Sequence, residues 1–438
     1  MRVSFVSVVI DEQTPTDPSE ESAVPAVPVL TEPRDGVPSV IETQAELERA
    51  AALLESGTGP LAIDAERASG FRYGQRAYLI QVRREGSGTH LIDPIAVADL
   101  TPLHSSFVGT EWVLHAASQD LPCLREVGLT PTSLFDTELA GRLLGYPRVG
   151  LSGLLEDVLG VSLAKEHSAA DWSTRPLPEP WLRYAALDVE LLLELRDAIE
   201  QALRDCGKYE LAMQEFDAIR DAPPSPPRVD PWRRTSGLHK IRKPRQLAAV
   251  RALWEARDAV AQRRDTSPGR VLQDASIVAA ATAFTETSAP DLSALPAFAG
   301  RGARRHLGEW QQAINTAAGL PEADLPPATV KPTGPPPARS WPDKDPVAAS
   351  RLAVAKESLA DISDQQSIPV ENLVTPDLVR RILWSPPVGL DELPAADQRA
   401  VLTHLLREGG ARPWQIDLVC GALVHAATYT PDLNTTEG

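Results

Sequence analysis

Cysteine is scarce: the 438 residues hold three, Cys123, Cys206 and Cys420. They lie far apart and match no metal-binding spacing, which excludes a disulfide-stapled scaffold or a cysteine-built zinc module and points to a reducing cytoplasm. Also missing is any apolar run near the ~18–20 residues that a bilayer-crossing helix needs. The opening MRVSFVSVVIDEQ has a short apolar stretch, one basic residue and no convincing cleavage site, so it reads as an unstructured start and not as a signal peptide. No phosphate-cradling G-x-x-x-x-G-K-S/T loop occurs, which argues against a nucleotide-driven motor. What abounds is proline: 40 of them are too many for compact structure throughout.

The formal net charge of −17 has the wrong sign for a polyanion-binding protein until it is resolved along the chain. Residues 1–38 hold 2 basic and 7 acidic side chains, and residues 39–217 hold 15 and 28. Residues 228–306 reverse the sign with 15 and 7, and residues 307–438 return to 10 and 17. The basic block is a candidate phosphate-binding surface. Within it Arg233, Arg234, Lys240, Arg242, Lys243 and Arg245 precede a helix and can track a nucleic-acid backbone. A merely solvated basic face is the alternative.

The length predicts two to four domains. Residues 1–38, rich in Pro, Glu, Ser and Val without periodicity, are expected to be a disordered acidic tail. Thr43 and Glu46 form a capping box ahead of AELERAAALLES. LAIDAE, AYLIQV and THLIDP read as three strands of a meander. A helix near 98–107, a strand at WVLHAA, a helix near 119–127 and a strand at SLFD follow, then helices over 137–145, 150–159 and 179–206. This order predicts an α/β domain over 39–217, a mixed sheet with flanking helices. Pro-rich segments at 218–232 and 319–344 read as linkers, leaving two all-α helical bundles at 233–318 and 345–430 and a disordered tail at 431–438. In the first bundle Leu247, Val250, Leu253, Trp254, Val260 and Ala261 share one helix face; in the second, Thr375-Pro376 reads as cap and first helical residue.

Against this background a set of acids stands out. Asp64 and Glu66 lie two apart in the strand-like PLAIDAER and so project side by side from one face. Asp120 follows WVLHAA at the start of a helix. Tyr184 and Asp188 are four apart in the helical LRYAALDVELLLEL and share one helix face. Four carboxylates converging from a strand, a loop and a helix repel one another unless cations sit between them, which is what two hard divalent ions about 4 Å apart require.

The wording around each acid goes further. AIDAERASGFRYGQRAYLIQVR, VLHAASQDLPCL, FDTELAGRLLG and DWSTRPLPEPWLRYAALDVELL resemble the ribonuclease D family of the DEDD exonuclease superfamily, over roughly residues 38–217 and beyond. D-x-E, S-x-D and Y-x-x-x-D occur in the family's order, and the three together carry the likeness. The resemblance implies a ribonuclease H-like exonuclease fold and a two-metal site, with Asp64, Glu66, Asp120 and Asp188 as ligands of Mg²⁺ or Mn²⁺. Tyr184 would orient the attacking water, its ordinary pKa near 10 making it a poor base. Arg183 stands where a histidine subgroup carries its histidine, which indicates the tyrosine subgroup. PRQLAAVRALWEARDAVAQRRDTSPGRVLQD resembles the HRDC (helicase-and-ribonuclease-D C-terminal) domain, and a second, divergent HRDC-like bundle is expected over 345–430.

Other residues carry competing readings. Asp136 is either an outer acid of the site or the cap of the next helix. His115 and His167 read as packing or surface residues, and Trp172 and Trp181 as core anchors. Gln81 either approaches substrate or satisfies a buried backbone group. Lys165 and Arg175, flanking DWSTRPL, are phosphate-contact candidates. The implied function is a 3′→5′ exoribonuclease, probing as a monomer the 3′ ends of tRNA precursors and other structured RNA and releasing nucleoside 5′-monophosphates. A 3′→5′ DNA exonuclease with the same site and a catalytically inactive RNA-binding scaffold are the rivals.

Overall fold

In the computed structural model, residues 27–97, 99–164, 170–285, 288–329 and 334–431 are described. Among the described residues eight strands run in chain order: β1 (Val29–Leu30), β2 (Val40–Ile41), β3 (Thr58–Arg67), β4 (Ala77–Glu85), β5 (Gly88–Ile92), β6 (Glu111–Leu114), β7 (Ser133–Asp136) and β8 (Ser162–Leu163). Six form one mixed sheet in the order β2-β5-β4-β3-β6-β7. β3, β4 and β5 are the expected antiparallel meander, while β6 runs parallel to β3 and β7 parallel to β6. The apolar runs of β3 and β4 place them centrally, with Leu61, Ala62, Ile63, Leu79, Ile80 and Val82 all buried.

Helices flank this sheet. Gln44–Ser56 opens on the expected capping box: Glu46 N–H donates to Thr43 Oγ1 at 3.3 Å, and Thr43 N–H to Glu46 Oε2 at 3.1 Å. The stretch expected as one helix over 179–206 divides at Leu191 into Glu179–Glu190 and Leu192–Asp205. The first of these packs across β3, β4 and β5, which brings a helix face over the acidic strand.

The tail boundary at residue 38 is corrected by the structure. Val29 and Leu30 pair in parallel with Ser162 and Leu163, and Arg34 Nη1 lies 2.6 Å from Glu194. Both contacts are to residues more than 130 positions away, so local composition carries no trace of them. The first linker is also shorter than read. Helix Tyr209–Asp221 runs into it as far as residue 221, and Trp232 is buried in a 3₁₀ turn at Pro231–Arg234. A buried indole contributes more than a loop position can offer it.

Trp232 belongs to a separate core with Leu247, Val250, Leu253, Val260, Trp310 and Ile314, around helices Pro244–Arg263, Asp274–Ala283 and Leu307–Ala318. Trp254, expected on the same buried face, is half-buried at its margin. This bundle docks on the β3–β4 connection: Tyr73 Oη donates to Asp258 at 3.0 Å, Ser267 N–H to Phe71 O at 2.9 Å and Arg270 Nε to Gly70 O at 2.8 Å.

The C-terminal helices Pro346–Gln366, Pro376–Trp384, Ala395–Glu408 and Pro413–Thr428 share the core of the α/β domain. Their unit starts earlier than position 345, because Trp341 is fully buried with its ring 4.9 Å from that of Trp384. Arg412 grips the buried Glu215 through two bonds of 2.6 and 2.5 Å, and Trp414 Nε1 donates to the same carboxylate at 2.8 Å. Thr375 does sit at the N-cap before Pro376, but its side chain makes no capping bond.

Candidate active site

Strand alternation and helical periodicity do what the sequence predicted. Asp64 and Glu66 project from β3, and Tyr184 and Asp188 stand one turn apart on Glu179–Glu190. Oxygens from Asp64, Glu66 and Asp188 lie within 4.8 Å of one another. They line a cleft of about 290 Å³ with Asp120, Tyr184, Arg67, His115 and Gln119.

Asp120 reaches the cleft from the turn after β6, and the build of that turn settles the role of Asp136. Its buried carboxylate accepts from Ala116 N–H at 3.1 Å and Ala117 N–H at 2.9 Å, and from Glu138 and Leu139 N–H at 3.0 and 3.1 Å. It thus caps Thr137–Leu144 and at the same time holds Ala116 at φ +60°, where a side chain is strained. Asp136 supports the site from behind. Despite those four donors, burial pushes its acid up to about 6.

The electrostatics are those of a cation site. Burial, then the charge of Asp64, lifts Asp120 to about 8. Burial also raises Asp64, and it raises Glu66 and Asp188 well above the carboxylate range, with Asp64 adding to both. Tyr184, raised by burial and then by the charge of Asp188, stays a hydroxyl. His115 is pushed down to about 4 by burial and is a neutral ring 3.0 Å from Thr137 Oγ1. Oxygen-only donors, crowded together and costly to ionise unaided, fit a hard divalent cation.

Arg67 of the cleft escaped sequence reasoning, and Gln81 beneath it was left open. Arg67 places its guanidinium 3.4 Å from Asp120 Oδ1. Strict alternation turns it away from Asp64 and Glu66, but the β3–β4 register shifts between Glu66 and Arg67, a bulge that no residue type announces. Gln81 pairs with Asp64 across the β3–β4 ladder and is fully buried. Neither of its amide atoms has a hydrogen-bond partner among the described residues, so it does not serve a buried backbone group.

The other candidates disperse. Arg175 is consumed by the fold: it binds Asp93 through bonds of 2.6 and 2.9 Å and donates to the carbonyls of Tyr78, Trp172 and Thr174. A phosphate contact from it would cost that network. Arg245 Nη1 caps the carbonyls of Ala318 and Leu320, and Arg233 stacks 4.2 Å above Trp232 while pairing with Asp230. Arg234, Lys240, Arg242 and Lys243 are exposed. Trp172 is fully buried with its ring 5.5 Å from Trp181 and 6.3 Å from Tyr184, an anchor behind the tyrosine. Arg183 pairs with Glu179 and Glu32. Lys165 and His167 lie outside the described residues.

A mixed sheet with this acidic cleft and a tyrosine one turn before the last acid defines a 3′–5′ exonuclease of the DEDD type. Residues 38–204 match a family model described as "3'-5' exonuclease", residues 246–314 the HRDC domain, and residues 334–427 a "3' to 5' exonuclease C-terminal domain". The last match gives the second bundle its own description, distinct from the HRDC likeness expected for it. The chain is 32% identical over 280 residues to ribonuclease D of Pseudomonas paraeruginosa, covering 63% of this chain and 73% of that protein. It belongs to the ribonuclease D family.

Among solved structures, a protein from Bifidobacterium adolescentis superposes with a TM-score of 0.84 at 35% identity over 92% of this chain and all of the other. Ribonuclease D of Escherichia coli, described as an exoribonuclease involved in structured RNA processing, superposes with a TM-score of 0.63 at 25% identity, over 89% of this chain and 98% of the other. The matched stretches span 37% to 73% of the length of the curated relatives. No helix among the described residues is long and apolar enough to cross a membrane.

Proposed function

We propose that this protein removes nucleotides one at a time from the 3′ ends of RNA, releasing nucleoside 5′-monophosphates, and that structured RNAs such as tRNA precursors are its substrates. The observation that carries the reading is the convergence of Asp64, Glu66 and Asp188 within 4.8 Å, with Asp120 and Tyr184 in the same cleft.

Asp64, Glu66, Asp120 and Asp188 would hold two divalent ions, Mg²⁺ or Mn²⁺, which when bound lower the pKa of water and neutralise charge on the departing oxygen. The chain supplies the rest. The carboxylates must give up their protons to accept cations, so activity rises with pH. Tyr184, a hydroxyl beside the buried Trp172 ring, can orient a water but cannot act as its base at neutral pH. The intact acidic set argues against an inactive scaffold. A monomer working in the cytoplasm completes the reading, with Cys123, Cys206 and Cys420 unpaired.

The test uses RNA and DNA oligomers of one sequence, labelled at the 5′ or the 3′ end, with Mg²⁺, Mn²⁺ or EDTA. RNA shortened stepwise from its 3′ end, with labelled 5′-monophosphate released from the 3′ label, supports the proposal. Preference for DNA would move the assignment to a DNA exonuclease, and cleavage that persists in EDTA would remove it.

A further inference from the structure

Arg67 is the one cation among the described residues that line the acidic cleft, since His115 is neutral there. Its place is unusual. It sits directly after a metal-ligand candidate, turned into the cleft by the bulge, and its guanidinium is spent on Asp120. Its side chain is 28% exposed while that of Asp120 is 8% exposed, so Arg67 approaches from the open side. Arg67 also lines a second cavity of about 280 Å³, formed with Ser69, Gly70, Phe71 and Ala170, which shares Ala65 and Glu66 with the first. It therefore stands on the partition between the carboxylates and the adjoining space.

Charge balance says what such a cation is for. Four ionised carboxylates match two divalent cations with nothing left over. A phosphodiester then brings one further negative charge into the acidic cleft, where an uncompensated charge is costly. Among the described residues that line the cleft, Arg67 carries the positive charge left to meet it. A cation that takes over Asp120 also frees the guanidinium, and its planar fork fits two phosphate oxygens.

We propose that Arg67 is a substrate-phosphate ligand, held in reserve on Asp120 until divalent ions occupy the carboxylates and then transferred to the phosphate of the 3′-terminal nucleotide. The inference rests on the exonuclease reading above and assigns that site one more catalytic residue. It commits the positive charge to the phosphate and not to the base or the ribose. The same contact holds the released 5′-monophosphate, whose phosphate carries more charge than the diester.

The test compares full-length wild type with Arg67→Gln and Arg67→Lys. It reads kcat and KM on a short RNA, inhibition by adenosine 5′-monophosphate, calorimetric binding of that nucleotide to Mg²⁺-loaded protein, and the Mg²⁺ concentration for half-maximal activity. A charged hydrogen-bond pair is worth roughly 10- to 100-fold, so Arg67→Gln should lose about that much in kcat/KM and in affinity for the monophosphate. Its Mg²⁺ requirement should be unchanged or lower, because no guanidinium competes for Asp120. Arg67→Lys keeps the charge without the fork and should recover part of both losses.

Retention of both quantities within about twofold in Arg67→Gln would overturn the proposal. So would a loss that disappears at higher Mg²⁺, which would confine Arg67 to the metal site. Failure of the exonuclease reading is a separate outcome, seen as wild type releasing no 5′-monophosphate. Calorimetric binding of the nucleotide still tests Arg67 in that case.

Discussion

The acidic cleft makes folding and cation binding compete, and Asp120→Asn exposes the competition. An ordinary aspartate ionises near 3.9, whereas burial and Asp64 hold Asp120 at about 8 in the folded protein. Between those values the folded state binds a proton that the unfolded state lacks. Without divalent ions, stability should therefore fall as pH rises from about 4 to about 8, by about 1.4 kcal/mol per pH unit from this group. At pH 7 the accumulated cost is about 4 kcal/mol. The neutral carboxamide escapes it, so metal-free Asp120→Asn should be more stable than wild type, by a margin that widens with pH. Saturating Mg²⁺ should reverse the order, because it stabilises the four-carboxylate cluster of the wild type more than the three carboxylates left in the variant. Urea unfolding of both proteins from pH 5 to pH 8, in EDTA and in Mg²⁺, reads all of this. Parallel pH profiles in EDTA, or no stabilisation of wild type by Mg²⁺, would refute the reasoning.

Further outcomes are expected. Asp64→Asn or Asp188→Asn should lower turnover by at least ~10³-fold with the fold intact, the loss of a few kcal/mol of transition-state stabilisation; circular dichroism and single-turnover hydrolysis check it. Tyr184→Phe removes one hydroxyl and should cost on the order of 10–10³-fold, mostly in kcat, leaving half-saturating Mg²⁺ in place; steady-state kinetics across Mg²⁺ concentrations decide it. If the basic block carries RNA, charge reversal at the exposed Arg234, Lys240 and Arg242 should flatten the salt dependence of binding by roughly 0.7–0.9 of a slope unit per lost phosphate contact. Point variants serve better than truncation near Pro226, since truncation would also strip Arg412 and Trp414 from the buried Glu215.

The sequence made most of the catalytic site legible because its geometry is periodic. A spacing of two on a strand and of four on a helix fixes which side chains share a face, so pattern pairs Asp64 with Glu66 and Tyr184 with Asp188, while the family resemblance joined the two pairs into one site. What stayed hidden depends on tertiary structure. Arg67 enters through a bulge that periodicity cannot foresee. Asp136 was open between two roles until its four N–H donors showed it bracing the Asp120 turn. Val29 and Leu30 read as tail because a two-residue strand exists only where Ser162 and Leu163 accept it. Trp232 and Trp341 sat in Pro-rich stretches, and composition outweighed single buried rings. Among the basic residues, charge located the block but not its engagement: Arg175 and Arg245 spend their donors on carbonyls and carboxylates of the fold.

The central claim is that four carboxylates of this chain hold two divalent ions. Anomalous scattering from crystals of the full-length protein soaked in Mn²⁺ tests it most directly. Two peaks ~4 Å apart are predicted among Asp64, Glu66, Asp120 and Asp188, with Arg67 withdrawn from Asp120. A cleft without a peak, or Mn²⁺ bound only elsewhere, would contradict the account.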